Sequence, residues 1–316
     1  MNKNILRQTL FFFIAVCSVT RLSGEEELPV ESYEYQLSIC TVFQNEARFL
    51  KEWIEYHRAV GVEHFYLFNH LSEDDYYSVL EPYIDAGIVE LTQWPILIES
   101  QQHWKETQTK AIQTAIDKSK YITKWLAIID SDEFIIPVQL DNLIEALEEF
   151  ENFGGVQVHW QCYGTSHIDK IPEDQLMIEL LTMKAPKFYN KNRQIKSIVR
   201  PERVSSCSHP HYVTYEPGFY HVNEKKIKKD ENKWFYKKIL IDKLRINHYW
   251  TRDEEYYRET KVPRVMKREY PDSELKILEQ IKIDLNTVHD DCIFRFIPAT
   301  REGIENFTPI SSPQRG

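Results

Sequence analysis

Between residues 37 and 160, short apolar runs alternate with amphipathic segments, and that alternation leaves few architectures open. Segments 37–43, 64–69, 88–91, 125–129 and 155–160 are short apolar runs and read as strands. Segments 46–60, 104–120 and 141–150 read as helices. In the first, Phe49, Leu50, Trp53, Ile54 and Val60 fall near one face, and Gly61 stops it. In the second, Ala111, Ile112, Ala115 and Ile116 face inward. Another helix is expected after Ser72, which can cap it, with Glu73, Asp74 and Asp75 in the first turn and Gly87 at the end. Strands separated by helices pair through crossovers. The expected fold is therefore α/β, a mostly parallel central sheet flanked by helices on both faces. Ligands of such sheets bind beyond the carboxyl ends of the strands. The polar residues there are Gln44-Asn45-Glu46, Asn69-His70 and Asp130-Ser131-Asp132-Glu133.

Apolar residues make up 42% of the 316, enough for a sizeable core, and no Pro/Gly/Ser linker divides the chain. Residues 34–300 read as one domain and 301–316 as a tail. With 39 basic and 49 acidic residues the formal charge is −10, which argues against a nucleic-acid partner. Residues 1–24 have the order of a signal peptide: Lys3 and Arg7, an apolar run over 10–19, then Ser23-Gly24. The run is shorter than the roughly 20 residues of a spanning helix. A cleaved signal and a retained signal anchor both place the protein on the secretory route: secreted, periplasmic or lumenal, or held at a membrane through residues 5–20. Beyond the leader stand Cys40, Cys162, Cys207 and Cys292, open to three pairings or to remaining free. Asn306-Phe307-Thr308 fits a glycosylation sequon.

The densest chemistry lies in Trp125–Phe134, WLAIIDSDEF, where Asp130 and Asp132 follow a buried strand. An extended D-x-D can aim both carboxylates at one divalent ion, and hard oxygen ligands suit Mg²⁺ or Mn²⁺. An ion that also held a diphosphate would neutralise charge on a leaving group. Haloacid-dehalogenase-type phosphatases carry D-x-D-x-[TV], but Phe134 stands at the fifth position here, and the motif follows several strand–helix units. Nucleotide-sugar transferases place D-x-D about as deep in the chain as it lies here.

Five blocks occur in order: CTVFQNEARFLKEWIEYHRAVGVEHFYLFNHLSEDD, WLAIIDSDEF, VHWQCYGTSH, KSIVRP and INHYWTRDEEYYRETK. Together, over roughly residues 36–262, they resemble glycosyltransferase family 92. The resemblance implies a GT-A type Rossmann-like fold, a divalent metal and an inverting transfer. The donor would be a UDP-sugar, galactose first among the sugars, and the acceptor a glycan hydroxyl. A non-catalytic sugar- or nucleotide-binding relative is the alternative. Two blocks depart from the family pattern. Tyr163-Gly164-Thr165-Ser166-His167 lacks a glycine, and Arg252-Asp253 replaces a Lys-Ser pair; both bear on acceptor identity.

In that frame Asp130 and Asp132 hold the metal or diphosphate, and Glu133 orients them or caps the strand. A late histidine, His248 or in competition His211, completes the metal site. Thr41, Asn45, Glu46 and Asn69 end the first strands and are expected at the donor, as are Gln108 and Lys110 on the helix before the D-x-D. Lys196 and Arg200 share one face of a strand and are expected to clamp the diphosphate. Trp160 and Tyr163 are expected to stack on acceptor sugars. The candidate bases for the acceptor hydroxyl include Asp174 and Glu255.

Overall fold

The computed structural model describes residues 33–230, 232–268 and 275–307. The leader at 1–24 and Thr308 of the sequon lie outside these residues. In chain order the first half runs β1 (Tyr35–Phe43), α1 (Ala47–Ala59), β2 (His64–Asn69), α2 (Tyr76–Asp85), β3 (Val89–Gln93), α3 (Gln101–Ser119), β4 (Thr123–Ile128), β5 (Glu133–Pro137), α4 (Leu143–Glu148) and β6 (Gly155–Cys162). The second half runs α5 (Met177–Leu180), β7 (Met183–Lys184), β8 (Ile195–Val199), β9 (Val204–His209), β10 (Tyr212–Tyr215), β11 (His221–Val222) and β12 (Leu244–His248). It ends with α6 (Glu254–Tyr256), a π-helical turn (Tyr257–Lys261), α7 (Val262–Arg268), α8 (Leu275–Leu285), β13 (Val288–His289) and α9 (Ile297–Asn306).

The main sheet has the order β3-β2-β1-β4-β8-β6-β12-β5, with β11 added to β6. β3, β2, β1 and β4 are parallel, as the alternating pattern requires. β8 enters antiparallel between β4 and β6, and β12 runs parallel to β6 and antiparallel to β5. The Rossmann-like α/β architecture expected of a GT-A fold is the one observed.

Each face of the sheet is covered. Trp53, Ile54 and Tyr56 of α1 and Leu143 and Leu147 of α4 join Ile39, Phe65 and Ile135 in one core. Ala111, Ile112, Ala115 and Ile116 of α3 join Cys40, Phe68 and Leu126 in another. α1 is also pinned to the strand that follows the D-x-D. Trp53 Nε1 donates to Glu133 O at 2.8 Å, and Tyr56 OH donates to Ile135 O at 2.9 Å. His57 completes the seam: its Nδ1 donates to Trp53 O at 2.8 Å, and Ile135 N donates to its Nε2 at 3.3 Å.

Local starts and stops differ in places from the expected ones. α2 begins at Tyr76, and Ser72 Oγ accepts from Asn45 N instead of capping it. The first turn of α1 is satisfied from outside: Asp74 Oδ2 accepts from Ala47 N at 2.7 Å. α9 continues past residue 300, so the expected boundary between domain and tail falls inside a helix packed on α1. Gly303 permits that packing, because a Cβ there would run into the Glu55 carboxylate. Cys40, Cys162, Cys207 and Cys292 are all free thiols. Among the described residues, no helix is long and apolar enough to cross a membrane.

Candidate functional site

β1 and β4 end on one edge of the sheet, and β12 delivers His248 to the same place. The ladder between β12 and β5 sets the register His248↔Glu133, and Tyr249 N donates to Asp132 O at 2.8 Å. The end of β12 is thereby hydrogen-bonded to the D-x-D. His248 Nε2 stands 3.4 Å from Asp132 Oδ1, and Lys261 Nζ stands 3.5 Å from Asp132 Oδ2. Burial works against the charge on Asp132, but His248, Lys261 and Arg252 outweigh it and hold the carboxyl well below the usual range.

Asp130 points the other way. Its Oδ2 lies 2.9 Å from Lys196 Nζ, and the side chain remains 38% exposed, open to a ligand. Lys196 is buried and also lies 3.7 Å from Glu133 Oε2. Burial disfavours the ammonium, yet Asp130 and Glu133 keep it protonated above the ordinary lysine range. Glu133 caps the turn after β4: its Oε2 accepts from Asp130 N at 3.0 Å. Burial pushes that carboxyl well above its usual range despite Lys196.

Four cavities adjoin around this cluster. One, about 310 Å³, is lined by Gln44, Glu46, Gln108, Asp130, Asp132, Trp160, His248, Trp250, Lys261 and Arg264. It adjoins a cavity of about 600 Å³ that shares Gln44 and Arg264 and adds Asn45, His70 and Gln101. On the other side of Asp130 lies a cavity of about 710 Å³, sharing Trp104 and Gln108. A recess of about 200 Å³ opens beyond Trp160, His248 and Trp250.

Several expected residues line the cleft: Asp130, Asp132, His248, Lys196, Asn45, Glu46 and Gln108. Trp160, expected at the acceptor, lines it beside His248 and Trp250 and not the cavity beyond Asp130. Glu46 forms a buried pair with Arg252 at 2.5 Å, so Arg252, a departure from the family pattern, supports the wall of the 310 Å³ cavity at Glu46. Burial raises the Glu46 carboxyl, against the pull of Arg252. Trp160 packs on His248 with ring centroids 4.3 Å apart and on His211 at 5.4 Å. His211 lines the 710 Å³ cavity, with Nδ1 on Ile195 O at 2.7 Å, and the histidine in contact with Asp132 is His248.

Other expectations are corrected. Thr41 is buried inside β1 and lines none of these cavities. Asn69 is structural: its Nδ2 donates to Gln93 Oε1 at 2.8 Å, and its Oδ1 accepts from Ser72 N. Lys110 is exposed, because two residues past Gln108 a helix has turned to its far side. Arg200 shares a strand face with Lys196 but lies at the opposite edge of the sheet. There its guanidinium donates to Tyr33 OH at 3.0 Å and pairs with Glu202 at 2.9 Å. Tyr163 is a core residue, its OH donating to Asp290 Oδ1 at 2.8 Å and accepting from Arg245 at 2.9 Å. Asp174 and Glu255 are off the cleft. Asp174 is exposed beside Arg301, and Glu255 pairs with Lys170 at 3.0 Å.

The cleft also holds residues that the sequence reading passed over: Lys261, Arg264 and Trp250. Lys261 and Trp250 stand inside the quoted block INHYWTRDEEYYRETK, and their signal was being embedded in a motif read only for its histidine and acids.

Among the described residues no three His, Cys, Asp or Glu side chains already converge on one point. Asp132 and His248 are close enough to share a single ion, and a carboxylate oxygen with an imidazole nitrogen is a donor set that fits Mn²⁺.

The chain is similar to several known proteins. A glycosyltransferase family 92 protein of Ricinus communis is 30% identical over 201 residues, 61% of this chain and 34% of the relative. A β-1,4-galactosyltransferase of Caenorhabditis elegans is 26% identical over 158 residues, 48% of this chain and 36% of the relative. The chain thus matches about a third of the length of these curated relatives. Among solved structures, Staphylococcus aureus TarS (residues 1–349) aligns with a TM-score of 0.36 and 13% identity, over 79% of this chain and 70% of that one. The family model for glycosyltransferase family 92 matches residues 33–277, a span that takes in β1 through β12 and every cleft residue named above, and the chain belongs to that family.

Proposed function

We propose that the protein is an inverting, metal-dependent glycosyltransferase that moves a hexose, galactose first, from a UDP-sugar to a glycan hydroxyl. The observation that carries this reading is the convergence of Asp132, His248 and Lys261 where the two halves of the cleft join. The nucleotide occupies the 600 Å³ cavity beyond Gln44, and its diphosphate lies between Asp132 and the Lys261–Arg264 pair. The recess edged by Trp160 and Trp250 offers apolar faces to the donor hexose.

Asp132 and His248 would hold Mn²⁺ or Mg²⁺, which when bound neutralises charge on the departing UDP. Lys261 and Arg264 add fixed positive charge on the same side, so that less reorganisation accompanies bond cleavage. The acceptor oxygen attacks the anomeric carbon from the face opposite UDP and passes its proton to a base. Glu46, Asp130 and Asp132 are the carboxylates lining the central cavity, and of these Asp130 also borders the acceptor side. The leader sequence at 1–24 supports a secretory-route location, with membrane association through residues 5–20.

The test is UDP release by the full-length protein from a panel of UDP-sugars, with and without Mn²⁺, for wild type and Asp132→Asn. Release from one donor that requires metal and Asp132 is the expected result. Absence of both release and UDP binding across the panel sinks the reading.

A further inference from the structure

The 710 Å³ cavity on the far side of Asp130 is built unlike the donor side. One wall is aromatic. Trp234 remains 38% exposed and lies nearly parallel to His209, 15° between planes with centroids 5.7 Å apart; His209 in turn stacks on Tyr212 at 4.7 Å. The other wall is cationic: Lys105, Lys191 and Lys196 line the cavity, and among the described residues Asp130 is the one carboxylate that lines it. Lys196 already takes that carboxylate at 2.9 Å. Lys191 Nζ sits 4.9 Å over the Trp250 ring, and neither Lys191 nor Lys105 pairs with a carboxylate among the described residues.

This surplus of two ammonium groups occurs in a chain whose formal charge is −10, so it is a local property of the cavity. The histidines inside register it. Burial lowers both His209 and His211, and Lys196 lowers them further, with Lys105 adding to the effect at His209. Lys105 and Lys191 lie apart from the 310 Å³ cavity that holds Lys261 and Arg264, and Lys191 also borders the recess beyond Trp160 and Trp250. Flat rings match the apolar faces of pyranoses, and unpaired amines match anionic substituents.

We propose that this cavity binds the acceptor as an anionic saccharide, a glycan carrying carboxylate or sulfate groups that Lys105 and Lys191 engage while its rings stack on Trp234. The proposal rests on the transferase reading only in calling this ligand the acceptor.

The test is calorimetric binding of three tetrasaccharides of equal length to the full-length protein: neutral galactose, galacturonate and sulfated galactose. At least one anionic tetramer is expected to bind about tenfold more tightly than the neutral one, as charge-assisted contacts imply. The preference should shrink as salt is raised. Lys105→Ala/Lys191→Ala should abolish it, and Trp234→Ala should weaken all three ligands, with thermal melting used to verify the fold of each variant. Tight galacturonate alone identifies a uronate acceptor, and tight sulfated galactose alone identifies a sulfated one. Equal or tighter binding of the neutral tetramer overturns the proposal, as does an anionic preference that survives the double lysine variant. UDP binding measured on the same wild-type sample separates the two claims: its absence removes the transferase reading and leaves the saccharide preference to be read directly.

Discussion

His248 Nε2 and Asp132 Oδ1 are 3.4 Å apart on segments remote in sequence, brought together because the end of β12 is hydrogen-bonded to the D-x-D segment. Replacing either removes one of the two donors able to share an ion. Asp132→Asn and His248→Ala are each expected to lower kcat/KM for UDP-sugar turnover by about 10²–10³, the scale for losing a preorganised electrostatic contact. Manganese titration followed by UDP release checks this, and a wild-type metal midpoint in both variants contradicts it.

Lys196 and Arg200 lie on one strand face but serve different ends of the sheet. Lys196→Gln strips the ammonium from Asp130 and Glu133, and is expected to reduce both turnover and stability. Arg200→Gln releases Tyr33 and Glu202 and is expected to lower the melting temperature while leaving the UDP dissociation constant unchanged. Calorimetry with UDP and thermal melts on both variants distinguish the two roles.

Arg252 is fully buried, 2.5 Å from Glu46 and with its guanidinium 4.0 Å from the Phe49 ring centroid. Arg252→Met leaves Glu46 buried without its charge partner and is expected to cost about 3–5 kcal/mol. Glu46→Gln combined with Arg252→Met removes both charges and should recover much of that loss. Urea unfolding of the single and double variants measures the coupling.

Acid should destabilise the fold through its buried histidines. Burial depresses His57 to about 3, and His159 and His221 to about 4. Between those values and the ordinary 6.5, the unfolded chain binds protons that the folded chain refuses. Stability is therefore fully present above about 6.5 and falls as the pH drops through that window, by at most about 1.4 kcal/mol per pH unit for each group. His57 has no free position for a second proton, since Ile135 N–H already faces its Nε2. A His57→Gln variant should show a shallower loss between pH 6.5 and 4 in urea-unfolding midpoints.

The strands and helices up to β6, except β5, were legible because each is a local pattern: a run of apolar residues, a helical stripe, a glycine stop; β5 was missed because Glu133–Pro137 follows the D-x-D with no break to mark it. The Asp130–Asp132 pair was legible for the same reason, as a polar break after a buried strand. Arg200 was misplaced because period-two reasoning gives the face of a strand but not which edge of the sheet its end reaches; Tyr163 follows β6 at the cleft end but turns its ring into the core toward Arg245 and Asp290. Lys196 and Arg200 are close in sequence, yet antiparallel entry of β8 puts them at opposite edges. Glu255 was misread because a carboxylate near a motif histidine had no sequence signal that Lys170 neutralises it. Lys261 depends on the π-helical turn at 257–261, a non-standard helical winding that hydrophobic periodicity does not report.

The ladder between β5 and β12 has a consequence for how the cleft comes into being on the ribosome. The parallel unit β1 to β4 is complete early in synthesis, but Asp132 acquires its imidazole neighbour only after β12 has emerged and paired. Long-range pairings of this kind form late and slowly. A nascent chain therefore carries the parallel half of the sheet well before His248 stands beside Asp132, and β12, the last strand of the main sheet in chain order, completes that edge of the cleft.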